Sequence, residues 1–342
     1  MPTGLPINPT VLLALTTAGC TTSSVTPDTE DTEDALSPPP LELVFSWPPL
    51  DIPDGALFAA DVTYDRHEQT AFDILLPDEA EPTPLLIFIH GGGFRGGDKS
   101  SIYSSSDIAV VLGAGVGFAT VNYRLLEEVD TDGVLKPLEN SRRALQFIRY
   151  HHETLNIDTE QVFLCGGSAG AGTALWLGSH DDMADPDADD WTARESTRVK
   201  ASGILETQAT YDIFDWEIIF GSYGLTIDDM DDFVGEESLL SFYGVSSWSE
   251  LESDAVSDYR ARVDMLEMLD SSDASVWIAS VNQLETEPTD AGVLYHHPYH
   301  ARAVMERAQA VGLEEVSDIP QLGIGDEGGE DMLQFFRRHL DD

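Results

Sequence analysis

The chain is short of lysine, cysteine and long apolar runs. Lys99, Lys136 and Lys200 are its only lysines, and Lys plus Arg total 17 against 63 Asp plus Glu, a formal charge of -46 at pH 7. Such an acid excess repels phosphate backbones and anionic headgroups, which sets aside nucleic acid and anionic lipid as partners. It reads as a solvated surface, and it also fits a protein that works in high salt, where screening relieves repulsion among carboxylates. Two cysteines, Cys20 and Cys165, make no disulfide framework. Cys165 follows Val162-Phe163-Leu164 and reads as a small buried hydrophobe. No stretch reaches about 18 uninterrupted apolar residues, so no membrane-spanning helix is expected. With 42% hydrophobic side chains, the 342 residues still have material for a sizeable core.

What the chain does have is a strand, a sharp turn and a helix around one serine. Gln161 to Cys165 is a short apolar run that stops at Gly166-Gly167-Ser168-Ala169-Gly170 and continues as the helix-compatible run Ala171 to Leu177. A hydroxyl that must stand clear of a sheet edge needs a tight backbone turn, and Gly166 and Gly170 let strand and helix approach without Cβ clashes. Ser168 is then the candidate nucleophile. It sits at a helix N-terminus, where the N–H of Ala169 and the positive end of the dipole face a developing oxyanion.

A second glycine cluster lies upstream. Pro84 to Ile89 is continuously apolar, as expected of a central strand covered on both faces, and it ends in His90-Gly91-Gly92-Gly93-Phe94. Without side chains, Gly91, Gly92 and Gly93 can turn backbone N–H groups towards a substrate oxygen. Strands and helices alternate from there on, which argues for a mostly parallel α/β sheet with its site at the carboxyl ends of the strands. Ala59–Tyr64 and Thr70–Pro77 read as an antiparallel pair preceding it.

HGGGF followed by GGSAG resembles the α/β-hydrolase fold, and within it the bacterial carboxylesterases and acetyl or feruloyl esterases related to the hormone-sensitive-lipase group. The run Asn122-Tyr123-Arg124-Leu125 and the helix around Leu138–Ile148 are similar to the family's next segments. The resemblance implies a small-molecule ester as substrate, no metal or organic cofactor, and a Ser, acid, His order along the chain. It also implies a lid or cap, and residues 208–262, rich in aromatics, are expected to form it. The candidate acids follow the strand ending near Val281, with Glu285 and Asp290 as alternatives. The base is harder to find. Where the family places a histidine, in the last loop, this chain has Ile324. The nearest supply is His296-His297-Pro298-Tyr299-His300, from which His297 or His300 is expected to serve; His339 is expected to face solvent.

Two functional classes follow. An intact elbow and glycine loop favour a carboxylic-ester hydrolase, whereas the missing late histidine favours a hydrolase-fold protein that binds a ligand or partner without turnover.

The N-terminus carries a different signal. Val11 to Leu15 followed by Thr16-Thr17-Ala18-Gly19-Cys20 resembles a bacterial lipoprotein signal, although no Lys or Arg precedes it and Thr17 stands where leucine is usual. Residues 1–20 are thus read as signal, with a lipid anchor at Cys20. Residues 21–40, dominated by Thr, Ser, Pro, Asp and Glu, read as a disordered tether, and 41–342 as the α/β-hydrolase domain, secreted or held at the cell envelope.

Overall fold

Apolar residues run unbroken through Leu85, Leu86 and Ile87, and the strand they form is buried on both faces. It is the third, β3 (Thr83–Ile89), of an eight-stranded sheet in a computed structural model that describes residues 40–325 and 329–340. The other strands are β1 (Leu57–Thr63), β2 (Ala71–Leu76), β4 (Gly117–Val121), β5 (Ile157–Gly167), β6 (Ala201–Leu205), β7 (Ser275–Ala279) and β8 (Glu315–Asp318), in the order β1-β2-β4-β3-β5-β6-β7-β8. β1 and β2 are antiparallel to their neighbours and the rest are parallel, so the architecture is the expected α/β-hydrolase sheet. The signal assigned to residues 1–20, and all but the last residue of the tether assigned to 21–40, lie outside the described residues. Among the described residues no helix is long and apolar enough to cross a membrane.

Side-chain alternation divides the core in two. Leu85, Ile87 and Ile89 face one layer with the helices Leu135–Tyr150, Ala169–Gly178 and Pro298–Val311. Leu86 faces the other, with the helices Asp107–Gly113 and Met332–Leu340 and the pair Phe335 and Phe336. His339, expected at the surface, is buried on the inner side of that last helix at 7% exposure, 3.8 Å from Glu314. Hydrophobic spacing places the helix at Phe335 and Phe336, and the ring four residues on from Phe335 is carried inward with them.

The strand order reverses at β3, which pairs with β4 on one side and β5 on the other. Register sets Ile89 against Gly166, so the glycine loop leaving β3 and the elbow leaving β5 emerge side by side at the carboxyl edge of the sheet. β4 ends at Val121, and the Asn122 side chain beyond it accepts the Lys99 N–H at 2.6 Å and donates to Asp98 at 2.9 Å.

Candidate active site

Ser168 stands between β5 and the helix Ala169–Gly178 with φ 55 and ψ -123, a region costly for a residue with a Cβ. The neighbours hold it there. Its N–H donates to the Leu205 carbonyl at 2.9 Å, and its own carbonyl accepts from Gly172 at 3.0 Å. A Cβ on Gly170 would overlap the Ile89 carbonyl oxygen, and one on Gly166 would overlap the Gly170 backbone. Both glycines are required by close approach.

The glycine loop is pinned from beneath. His90 stacks on Tyr123 at 4.3 Å, its Nδ1 lies 2.7 Å from the Gly91 carbonyl, and the Tyr123 hydroxyl donates to the His90 carbonyl at 2.7 Å. Burial lowers the His90 pKa, which keeps the ring a neutral structural group. Gly91 passes so close to the elbow that a Cβ would sit 2.7 Å from the Gly167 oxygen and 3.3 Å from the Ser168 Cβ. Gly92 (φ 114) accepts the N–H groups of Arg95 and Gly96, both at 3.1 Å, closing the turn. Gly92, Gly93, Ser168 and Ala169 all line one cavity, whereas Gly91 packs behind it.

His296 reaches this point. Its Nε2 is 2.8 Å from the Ser168 Oγ, and its Nδ1 is 3.0 Å from the Gly292 carbonyl oxygen. A carbonyl can only accept, so Nδ1 carries the proton and Nε2 is left to accept from the serine hydroxyl. His296 ends the helix Ala291–His296, which Asp290 caps by accepting the Val293 N–H at 3.1 Å. Two further bonds anchor that helix: the Tyr295 carbonyl accepts from Gln208 at 2.8 Å, and the Leu294 carbonyl lies 3.1 Å from His300 Nε2.

A family model described as BD-FAE matches residues 72–289, well over half of the chain. The chain belongs to the BD-FAE family. It is also 31% identical over 131 residues to Gut esterase 1 of Caenorhabditis elegans, an alignment covering 36% of this chain and 23% of that protein. The chain thus spans about a quarter of the curated relative it matches. Among solved structures, a truncated carbohydrate esterase from gut microbiota superposes with TM-score 0.61 at 15% identity, covering 89% of this chain and 99% of that one. Esterase B from Lactobacillus rhamnosis gives 0.54 at 15% identity, covering 79% and 76%. Thermogutta terrifontis esterase 2, in a form phosphorylated by paraoxon, gives 0.51 at 15%, covering 84% and 91%. These likenesses establish the α/β-hydrolase fold.

In this BD-FAE chain the residues singled out by sequence separate into those that meet and those that do not. Ser168, Gly92, Gly93 and Ala169 are brought together. His297 and His300 are not. His297 caps the helix Pro298–Val311 through Nδ1, which accepts the Tyr299 N–H, and its Nε2 faces the Thr286 carbonyl at 3.1 Å. His300 is fully buried between Trp216 and Phe220, with Nδ1 accepting from Ala209. Desolvation pushes these two down to about 4 and about 3, values suited to neutral structural rings. The structure therefore puts His296, rather than either neighbour, against Ser168.

Neither candidate acid makes a hydrogen bond to His296. Glu285 is exposed and accepts the Tyr299 hydroxyl at 2.8 Å, and Asp290 is exposed at its helix cap. The carboxylate that sequence order does not single out is Glu206, which follows β6 directly at φ 50. It gathers Ser280 Oγ, the N–H groups of Val281 and Asn282, and the Asn282 amide, each within 3.1 Å. It fixes the start of the loop that leads to His296. Ile324 pairs with Ile319 in a closed turn and packs against the core.

The 208–262 insertion roofs the site as expected of a lid. It folds into short helices, among them Ile227–Val234 and Glu236–Phe242, and contributes Ile213, Trp216, Val234, Leu239, Phe242 and Tyr243 to a cavity of about 340 Å³. Tyr211 ties the roof to the elbow, donating its hydroxyl to the Ala169 carbonyl at 3.2 Å. Phe220 and Tyr223 instead enclose His297 and Tyr299.

Proposed function

We propose that this chain is a serine carboxylic-ester hydrolase whose base is His296. The observation that carries this reading is the 2.8 Å contact between Ser168 Oγ and His296 Nε2 at a positive-φ elbow. Family membership and relatives named as esterases support it. In the reaction, Ser168 Oγ bonds to the ester carbonyl carbon while its proton passes to His296 Nε2. The negative charge that forms on the carbonyl oxygen meets N–H groups of the Gly91–Gly93 loop and of Ala169, at the positive end of the elbow helix. Collapse breaks the bond to the alcohol oxygen, which takes the proton from His296. Water then attacks the acyl-serine with the same histidine as base, releasing the acid and restoring Ser168.

The imidazolium formed on the way is held by its Nδ1–H bond to the Gly292 carbonyl and lies at a helix C-terminus, where positive charge is favoured. The aromatic cavity of about 340 Å³ suits a short acyl group on a sugar or small alcohol. The reading of a binder without turnover rests on Ile324 replacing the late histidine, and a base supplied from elsewhere removes its premise.

Labelling of residues 41–342 with a fluorophosphonate probe tests the proposal without a guessed substrate. Rapid labelling abolished by both Ser168→Ala and His296→Gln is the expected result. Labelling that survives His296→Gln refutes His296 as base, and no labelling of the folded wild type refutes the hydrolase. The anchor at Cys20 belongs to the same proposal for an envelope enzyme. It predicts incorporation of labelled fatty acid by the full chain that Cys20→Ser abolishes.

A further inference from the structure

Among the described residues Arg95 is the only charged side chain lining the cavity at Ser168, in a chain with 63 acidic residues. It follows Phe94 directly in the glycine loop and is exposed at the cavity mouth. Its guanidinium is held in place. Nη1 donates to the Glu127 carbonyl at 3.0 Å, and Nη2 donates to the Ser238 carbonyl at 3.3 Å and to the Ser241 hydroxyl.

All three acceptors are neutral. Arg95 forms no ion pair among the described residues, whereas Arg260, in the lid, is closed by Asp212 at 2.8 Å and Arg198 by Asp273 at 3.0 Å. A guanidinium has five N–H groups, so two donors and the whole positive charge remain for a ligand. Three bonds have already ordered a side chain that otherwise loses much rotamer freedom on binding. The surrounding wall, with Phe94, Phe242 and Tyr295, is apolar and strengthens any charge-assisted bond made against it.

We propose that Arg95 binds a carboxylate carried by the substrate, which makes the substrate class an ester with a free carboxylate on its acyl or its alcohol half. This rests on the hydrolase reading above and narrows it. The competing role is a latch that only ties the glycine loop to the lid helix Glu236–Phe242. A latch is blind to substrate charge.

The test uses two pairs of chromogenic or fluorogenic esters in about molar salt, so that the field of the -46 charge is screened. One pair differs in the acyl half (hemisuccinate against butyrate), the other in the alcohol half (4-acetoxybenzoate against phenyl acetate). The readout is the ratio of kcat/KM for the charged ester to that for the neutral one, in wild type, Arg95→Gln and Arg95→Lys. Intrinsic reactivity cancels when ratios are compared between variants. The ratio is expected to fall about ten- to a hundredfold in Arg95→Gln for one pair, the span of one or two charged hydrogen bonds, and to recover partly in Arg95→Lys. The pair that responds identifies the half that carries the carboxylate. Ratios unchanged in both pairs, whether or not all rates fall together, overturn the inference in favour of the latch. Turnover of none of the four esters, together with no fluorophosphonate labelling of the folded wild type, is a different result, and it removes the hydrolase reading along with this inference.

Discussion

His296 Nδ1 lies 3.0 Å from the carbonyl oxygen of Gly292, one helical turn earlier on the same short helix. The imidazole is thus oriented by a neutral backbone acceptor. Glu285, occupied by Tyr299, stands apart from it. Glu285→Gln is therefore expected to lower fluorophosphonate labelling by no more than about tenfold, whereas His296→Gln lowers it by several orders of magnitude, as loss of the base does in a well-studied serine protease. A thousandfold loss in Glu285→Gln would mean that the acid joins the site during turnover.

Asp290 acts through the helix it caps. Replacing it by alanine is expected to cost about 1 kcal/mol of stability and to lower kcat, because the helix start that fixes Gly292 and His296 loosens. Serine caps about as well as aspartate, so Asp290→Ser restores both quantities. Melting temperature and kcat measured on the two variants separate a cap from a charge. A kcat that stays low in a fully stable Asp290→Ser would assign the carboxylate a direct electrostatic part.

Burial holds His297 at about 4 and His300 at about 3, below the 6.5 of an unburied imidazole. Between those values the unfolded chain binds protons that the folded chain refuses. Their contribution to stability is complete above about pH 6.5 and is withdrawn as the pH falls towards 4 and below. Asp215 works the other way, raised to about 6 by burial and by the nearby Asp264 and Asp212, and it returns some stability below pH 6. Denaturant unfolding in molar salt is expected to show a net loss from pH 7 to pH 4.5. Ring nitrogen spectra at pH 5 should show both histidines as neutral Nε2–H tautomers, since each faces a carbonyl through Nε2 and accepts an N–H through Nδ1. Protonated rings at pH 5 would contradict the burial argument.

The charge of -46 on 342 residues predicts a melting temperature that rises from low to molar salt, as counterions screen carboxylate repulsion. A flat profile would leave the acid excess as solvation alone.

Gly170→Ala is expected to abolish the soluble fold rather than activity alone, because the added methyl meets the Ile89 backbone at the end of the central strand β3. The yield of soluble protein and its circular dichroism read this directly. A well-folded Gly170→Ala would mean that the strand and helix can part at the elbow without cost.

The elbow and the glycine loop were legible because their chemistry needs particular residues at particular spacings. Gly166, Gly170 and Gly92 can be nothing else, and each is explained by a backbone atom standing where a Cβ would go. The sheet was legible for a related reason, since β3 and the Val162–Cys165 part of β5 are apolar on both faces and must be central. The base was not. His296 is placed by a backbone carbonyl at Gly292, a carbonyl bond from Gln208 and a turn gathered by Glu206, none of which leaves a residue-type signature near the histidine. The local pattern pointed instead to His297 and His300, flanking Pro298, and those two are consumed by capping and core packing. The six-residue helix itself could have been read from Asp290 as a cap and Pro298 as a stop, which would have left His296 at its end.

That helix carries two burdens in adjacent positions. Tyr295 is part of the cavity wall and His296 touches Ser168, so they share one short, anchored segment. On the proposed mechanism, reshaping the pocket through Tyr295 therefore disturbs the proton relay, and variation on that side is paid in turnover. Val234 and Leu239 sit on lid helices remote in sequence from the base, and they leave selection, natural or directed, a route to new acyl groups that spares the chemistry.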